Sequence, residues 1–158
     1  MITNDSTIGL MSDVDADKAK TIILEEITIS TATPELPSPL LTASGKLTNA
    51  ALVLVRIRSK CGFEGHSYLF SPNAKLLTAL ASAVSVAFEE VKGRSCSPET
   101  NTDYLLNKFK LFGGTGILTM AFAAIDMASW DLLGHALGKP LYRLWGGEKT
   151  SIPSYESS

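Results

Sequence analysis

The first candidates for proton exchange in this sequence are two aspartates and two histidines. Asp126, Asp131 and His135 fall within one apolar segment with helical spacing, and His66 falls within a segment of strand-forming residues. Asp131 and His135 are four residues apart, so they can pair on one helix face. Asp126 and Asp131 are five apart, which turns the helix by about 500° and points them about 140° apart. We therefore expect hydrogen-bonded structural or surface roles for these groups, and no catalytic residue.

Two further patterns resemble catalytic or ligand-binding motifs only loosely. Lysines two apart, at Lys18/Lys20 and Lys108/Lys110, would suit proton abstraction if they shared one face of a strand. The first pair lies in a polar N-terminal stretch and the second in a predicted helix, so we interpret both as solvated charges. The glycine-rich run at residues 113–116 lacks the Lys-Ser/Thr of a phosphate loop, and no strand precedes it. It is therefore interpreted as a helix–helix connection.

The composition argues against several classes of protein. Of 158 residues, 14 are Lys or Arg and 16 are Asp or Glu, giving a net charge of −2 and no basic patch for nucleic acid. No basic run favours a membrane surface, and the N-terminus lacks the basic start and apolar core of a signal peptide, so we expect a cytoplasmic protein. Cys61 and Cys96 form no CxxC pair, and no carboxylates have Mg²⁺ or Ca²⁺ spacing. We expect no metal site in this chain.

Hydrophobic patterning predicts strands in the first half of the chain. The strand-forming segments are residues 21–31, 52–58 and 66–70, and glycines between the last two favour a hairpin. Pro34, Pro37 and Pro39 lack backbone donors and fix φ, so we expect a loop without regular structure up to about Ala50. Loops of that length are typically functional or disordered.

Helical spacing dominates the second half. The predicted helices cover residues 72–92, 102–112 and 115–137. The last is long and apolar enough to suggest a membrane span, but each charged side chain in it would cost at least about 2.5 kcal/mol at mid-bilayer depth, which favours a buried helix. The predicted fold class is α+β, with a three-stranded antiparallel sheet followed by a three-helix bundle. Residues 1–20 carry no apolar stretch, and we expect them to form a disordered tail.

Residues 121–147 carry a long and specific motif, AFAAIDMASWDLLGHALGKPLYRLWGG. It resembles the signature of the mandelate racemase/muconate lactonizing enzyme group of the enolase superfamily. The matching positions are Ala124, Ile125, Asp126, Ala128, Trp130, Asp131, Gly134, Gly138, Pro140, Leu141, Leu144 and Gly146. Ser129, His135 and Trp145 depart mildly from the usual residues.

Other segments carry the same resemblance. Residues 36–55 look like the capping loop and second strand of the group, GHSYLF at 65–70 is a hexapeptide found in it, and residues 154–157 resemble the segment leading into its barrel. The resemblance therefore extends over about residues 21–158.

What the resemblance implies is a capping domain. Members of this group have an N-terminal α+β domain that closes over a (β/α)7β barrel and sets specificity. In the barrel, carboxylates bind Mg²⁺ and Lys or His bases remove the proton α to a substrate carboxylate. We expect residues 21–150 to form the enolase-like capping domain and 151–158 to begin a linker, with the catalytic barrel absent. Mg²⁺ is then implied for the full-length enzyme and not bound by this chain, and a homo-oligomer is expected.

The resemblance also implies positions that contact the substrate. Those on a flexible flap over it are Leu40, Thr42, Ser44 and Leu47. Phe70 and Leu111 fall on the apolar wall of the cavity, and Ser157 falls where a serine contacts the substrate carboxylate. Ser44 and Pro72 replace an aliphatic and an aromatic residue of the family. These changes make the pocket less apolar and indicate a more polar 2-hydroxy acid, such as a sugar acid.

Two functions remain open from the sequence. The first is an enzyme fragment, the capping domain of a racemase or dehydratase that is inactive alone. The end of the chain at Ser158 and the acids of the signature helix, which have no evident role without a barrel, favour it. The second is a stand-alone, non-catalytic interaction module with the same fold. In both cases we expect self-association, because the face that would cover a barrel is left open.

Overall fold

The computed structural model describes residues 11–42, 45–148 and 151–155. The strands are β1 (Leu24–Ala32), β2 (Glu35–Thr42), β3 (Gly45–Asn49), β4 (Ala51–Ser59) and β5 (Glu64–Ser71). The helices are α1 (Asp13–Thr21), α2 (Leu77–Val91), α3 (Pro98–Lys108), α4 (Ile117–Leu137) and α5 (Leu141–Leu144), with 3-10 turns at Ala74–Leu76 and Lys110–Phe112. Ser44 and Ser157 lie outside the described residues.

The central sheet has the strand order β1-β4-β5, and both pairings are antiparallel. In β4, Val53, Val55 and Ile57 point toward the helices and are fully buried, whereas Leu54 and Arg56 lie exposed on the opposite face. This alternation arises because successive side chains of a strand point to opposite faces. The predicted α+β class with a three-stranded antiparallel sheet is confirmed.

Helix α4 is the centre of the hydrophobic core. It contacts α2, α3, β4 and β5, and residues such as Phe122, Ile125 and Leu133 are almost completely buried. Burying each such side chain contributes about 1.5–3 kcal/mol. Among the described residues, α4 is the one helix whose length and composition would allow it to cross a membrane. Its packing against these four helices and strands makes it the core helix of this domain.

The contact between α4 and β5 depends on Gly65. A Cβ atom at this position would collide with the backbone carbonyl of Ala128 and the backbone nitrogen of Leu132. The helix axis therefore approaches the strand more closely than any side chain at residue 65 would allow. At the other end, Gly138 adopts the left-handed conformation (φ 63°), and Lys139 N–H donates to the Gly134 carbonyl at 3.0 Å, which ends α4.

The N-terminal segment differs from its prediction as a disordered tail over residues 1–20. Helix α1 occupies the end of that segment, and Ser12 caps it by accepting the Asp15 N–H at 3.3 Å. Asp15 is 4% exposed and accepts two hydrogen bonds from Lys139 Nζ, at 2.8 and 2.9 Å. These hydrogen bonds hold α1 in position, and Lys139, just beyond the end of α4, is 124 residues away from Asp15 in the sequence. No local pattern in the sequence contains that partner.

The proline-rich segment also differs from its prediction, which was a loop without regular structure. Strands β2 and β3 form an antiparallel hairpin, with Leu40 opposite Leu47. The register is irregular between Glu35 and Leu40, where Pro37 and Pro39 lie. In a two-stranded sheet both strands are edges, where a missing N–H is tolerated. The prolines therefore disturb the pairing without preventing the hairpin.

Candidate functional site

The hairpin β2–β3 presents three of the flap residues that the resemblance implied. Leu40 is 57% exposed and faces Leu47 across the pair, while the Thr42 hydroxyl donates to the Gly45 carbonyl at 2.8 Å beside the turn. Nearly every side chain of the two strands is exposed. An isolated two-stranded hairpin is only marginally stable in water, so this flap is suited to docking against another surface.

The two residues expected on the apolar wall lie on different elements. Phe70 projects from the open face of β5 and is 44% exposed, and Leu111 is 92% exposed on the 3-10 turn after α3. Phe109 anchors that turn, because its ring packs 5.6 Å from the ring of Phe122 on α4. Phe112 is also exposed. The turn therefore holds two large apolar side chains out into solvent while its base is fixed to the core.

A cavity of about 390 Å³ joins the base of the hairpin to the end of β5. Its lining includes Leu47, Lys46 and Asn49 from the hairpin and Pro72 just beyond β5. Lys46 is exposed and is the only cation between residues 34 and 50. An ammonium group beside amide and hydroxyl groups can bind a carboxylate or hydroxyl groups of a ligand. Sequence reasoning missed Lys46, although its isolation as a cation in the flap was a visible signal.

A second cavity, of about 630 Å³, lies on the open face of the central sheet, and its lining includes no residue of the hairpin. Arg56 is one of its lining residues, donates to the Thr28 hydroxyl at 3.2 Å and is 3.8 Å from the Glu64 carboxylate. None of the substrate-contacting residues implied by the resemblance lines it. We therefore place the candidate site at the hairpin and not in this second cavity.

The histidine and aspartate pairs have a structural role at the outer edge of β5. The Asp131 carboxylate accepts the backbone N–H of His66 at 2.8 Å, and His135 Nδ1 is 2.9 Å from the Glu64 carbonyl. Both imidazoles also lie near that carboxylate, at 3.7 and 3.9 Å. One turn of α4 thus satisfies an N–H and a C=O that a neighbouring strand would otherwise bind. At His66 the hydrogen bond comes from the backbone N–H, whereas the exposed imidazole lies 3.7 Å from the carboxylate, so the expectation of a hydrogen-bonded histidine side chain stays a prediction.

The other acid of the signature helix is structural as well. The Thr102 hydroxyl on α3 donates to the Asp126 carboxylate at 3.1 Å, and burial raises the pKa of Asp126. Together with Asp131, this assigns both acids a function within the domain itself. The argument that these acids have no evident role without a barrel is therefore wrong, and it no longer favours a fragment.

These side chains do not fit a magnesium ion. Among the described residues, no group of three or more His, Cys, Asp or Glu side chains is arranged to hold a metal. Mg²⁺ takes oxygen ligands, whereas the closest cluster contains one carboxylate and two imidazoles. Asp131 and His135 are moreover engaged with backbone groups of β5.

Comparison with known proteins identifies relatives of the same fold. L-talarate/galactarate dehydratase of Salmonella typhimurium strain LT2 is 29% identical over 147 residues, which is 90% of this chain and 36% of the dehydratase. Arabinonate dehydratase of Saccharolobus solfataricus is 28% identical over 110 residues, which is 66% of this chain and 28% of that enzyme. The chain therefore spans about a third of the length of the curated relatives it matches.

Solved structures also share the fold of this chain. The crystal structure of an enolase from Bradyrhizobium complexed with magnesium and mandelic acid superposes with a TM-score of 0.79 at 33% identity, covering 85% of this chain and 37% of that one. The Salmonella dehydratase liganded with Mg and L-lyxarohydroxamate gives a TM-score of 0.71 at 26% identity, covering 83% and 35%. The family described as mandelate racemase / muconate lactonizing enzyme, N-terminal domain, matches residues 25–146. With its sheet, helices and signature motif in place, the chain belongs to this N-terminal domain family of the enolase superfamily.

Proposed function

We propose that this chain is the capping domain of a sugar-acid dehydratase, an enzyme that uses Mg²⁺ and removes the proton α to a carboxylate. The bases and metal ligands of that enzyme would lie in a barrel outside these 158 residues. A 2-hydroxy acid racemase is the second candidate, because mandelic acid is bound in the Bradyrhizobium structure. The observation that carries the proposal is the flap, an exposed hairpin bearing Leu40 and Lys46 beside a cavity.

The flap has the composition expected of a lid over a polar acid. Leu40 and Leu47 provide an apolar patch that can exclude water, and Lys46 provides a positive charge at the cavity. Closing such a lid removes water from the reacting groups and strengthens electrostatic interactions with them. A hydroxylated, anionic ligand matches this mixture better than a purely aromatic acid. Both curated relatives described above are dehydratases whose names refer to sugar acids.

In this proposal the chain's own residues bind and orient the substrate, and they transfer no proton. Leu111 and Phe112 dock against the barrel rim or the ligand, because both are large, apolar and exposed on an anchored turn. The carboxylate-bearing substrate is reached only when the barrel is present. We further propose that the protein acts in the cytoplasm and as a homo-oligomer.

A domain exchange tests the proposal. The corresponding N-terminal segment of the Salmonella dehydratase is replaced by this chain, and dehydration of galactarate is measured with Mg²⁺ and with EDTA. We expect measurable Mg²⁺-dependent turnover by the chimaera and none by this chain alone. Circular dichroism and gel filtration verify that the chimaera is folded.

A matched variant separates capping from folding. Lys46→Met in the chimaera preserves side-chain length but removes the charge, so we expect a higher KM with unchanged stability. A folded chimaera without turnover, or α-proton exchange by the isolated chain that EDTA abolishes, would contradict the proposal. Turnover unaffected by Lys46→Met would contradict the assignment of Lys46 alone.

A further inference from the structure

The two outer edges of the central sheet differ. At β5, Asp131 and His135 bind outward-pointing backbone groups of His66 and Glu64. At β1, Leu24 pairs with residues 93 and 94, but beyond it the described part of the chain provides no hydrogen bond to the outer edge. Natural proteins seldom leave such an edge unprotected. We propose that two copies of this chain pair through β1, antiparallel, to form a continuous six-stranded sheet.

The register identifies which backbone groups are free. Lys60 N–H donates to the Ile23 carbonyl at 2.9 Å, whereas Ser59 N–H donates to Phe63 in the opposite direction. Because the backbone groups of successive strand residues point to opposite sides, the N–H and C=O groups of the even-numbered residues of β4 point toward β1. Their partners are Glu26, Thr28, Ser30 and Ala32. The N–H and C=O groups that point outward therefore belong to Ile27, Ile29 and Thr31.

An apolar strip runs along the same edge. The side chains of Ile27 and Ile29 point to the helix-covered face, yet both are only partly buried. Their partners across the pair, Ile57 and Val55, are 0% and 2% exposed. The helices thus cover the centre of the sheet and leave its β1 margin incompletely covered. The β1 strand of a second copy, placed alongside, would bury this margin and the equivalent margin of the second copy.

The strand is complementary to itself. In an antiparallel pair centred on Ile29, the outward-pointing N–H and C=O groups of one copy meet those of the other. This register places Ile27 opposite Thr31 of the second copy. Thr28 then faces Ser30, and Glu26 faces Ala32, so like charges do not meet. Glu26 already pairs with Arg58 of its own chain at 3.8 Å. Because residues 27–31 carry no charge, a charged peptide finds no complementary partner there, and a second copy matches best.

The limits of the pair are also visible. A bulge between Leu24 and Glu26 interrupts the register at one end, and Pro34 lies beyond the other. Between them the strand contains neither lysine nor proline, the residues that commonly block edge pairing. This inference specifies how the homo-oligomer proposed above would form, and it does not depend on the dehydratase activity.

Light scattering on this chain tests the pairing. We expect a mass twice the 16.9 kDa of one chain. Ile29→Pro removes an outward N–H, so it costs no hydrogen bond to β4, and we expect a monomer with an unchanged far-ultraviolet spectrum. Ile29→Val preserves the N–H and is expected to remain dimeric. A monomeric native chain, or a folded Ile29→Pro variant that stays dimeric, would overturn the proposal.

Disulfide trapping tests the register, and decides the matter if Ile29→Pro fails to fold. The variant carries Thr28→Cys and Ser30→Cys in a Cys61→Ser background. In the proposed register, the thiol at position 28 of one copy lies opposite the thiol at position 30 of the other. The remaining Cys96 is fully buried and cannot interfere. We expect a covalent dimer under oxidation from the double variant and none from either single variant. Failure of the double variant to cross-link, or cross-linking of Thr28→Cys alone, would refute the register proposed here.

Discussion

Ser129 carries a hydroxyl that finds no hydrogen-bond partner within the described structure. The residue is 1% exposed on α4, and its neighbours in the core are apolar. An unsatisfied buried hydroxyl costs about 1–3 kcal/mol, so Ser129→Ala is expected to raise the free energy of unfolding by about 1 kcal/mol. Urea denaturation measures this difference.

Ser67→Ala is the matched comparison for that substitution. The Ser67 hydroxyl donates to the Ala124 carbonyl at 2.6 Å, so its removal should lower the free energy of unfolding by about 1 kcal/mol. The two serines thus predict opposite signs for the same chemical change. Destabilisation by Ser129→Ala would mean that its hydroxyl is satisfied in solution.

Gly65 is expected to tolerate no side chain. Because a Cβ atom there would meet backbone atoms of α4, Gly65→Ala must separate the helix from β5. Overpacking of this kind costs up to about 3 kcal/mol, measured as a lower midpoint of urea unfolding. Gly114→Ala is the control, since no atom lies within 4 Å of its Cβ position. Equal stability of the two variants would contradict the close approach.

The attachment of α1 is expected to depend on pH. Hydrogen bonds from Lys139, and then from Ser12, lower the pKa of Asp15 below its ordinary value of 3.8. A carboxylate with a lowered folded-state pKa stabilises the fold above its unfolded pKa, and this stabilisation is lost as the pH falls through the folded value. The native chain should therefore exceed Asp15→Asn in stability at neutral pH, and the difference should shrink below about pH 4.

Thermal unfolding of both proteins across this pH range measures the effect. Asp17→Asn is the control, because Asp17 pairs with Lys20 at 2.8 Å on the exposed side of the same helix. Exposed pairs contribute about 0–1 kcal/mol, so this variant should follow the native chain at every pH. A pH-independent difference for Asp15→Asn would show that Asp15 acts through packing alone.

The elements that could be predicted are those whose cause is local. The alternation in β4 and the helical spacing of α2 and α4 follow directly from residue order. The position of helix α1 could not be predicted from local sequence, because it depends on Lys139, which is 124 residues away from Asp15 in the sequence. The prolines predict an irregular loop in place of the hairpin, because proline prevents pairing in a central strand but is tolerated at an edge.

The candidate site could be predicted from the sequence only in part. Leu40 and Leu47 do meet across the hairpin, whereas Phe70 and Leu111 lie on separate elements. Their convergence on one ligand would require a surface beyond this domain, so no pattern within the chain could establish it. Lys46 could not be assigned from the sequence, because its position at the cavity depends on the hairpin, where the prolines predict an irregular loop.

Substitution of Leu111 distinguishes a role in function from a role in stability. The side chain is 92% exposed, so Leu111→Ala should change the free energy of unfolding by no more than about 0.5 kcal/mol. Leu105, on the preceding helix, is 1% exposed, and Leu105→Ala should cost about 2–5 kcal/mol. If Leu111 forms part of the capped site, Leu111→Ala should nevertheless lower kcat/KM of the dehydratase chimaera about tenfold, equivalent to about 1.4 kcal/mol of transition-state binding. Unchanged turnover would remove Leu111 from the site, because a residue that neither stabilises the domain nor affects the chimaera has no contact on which either property depends.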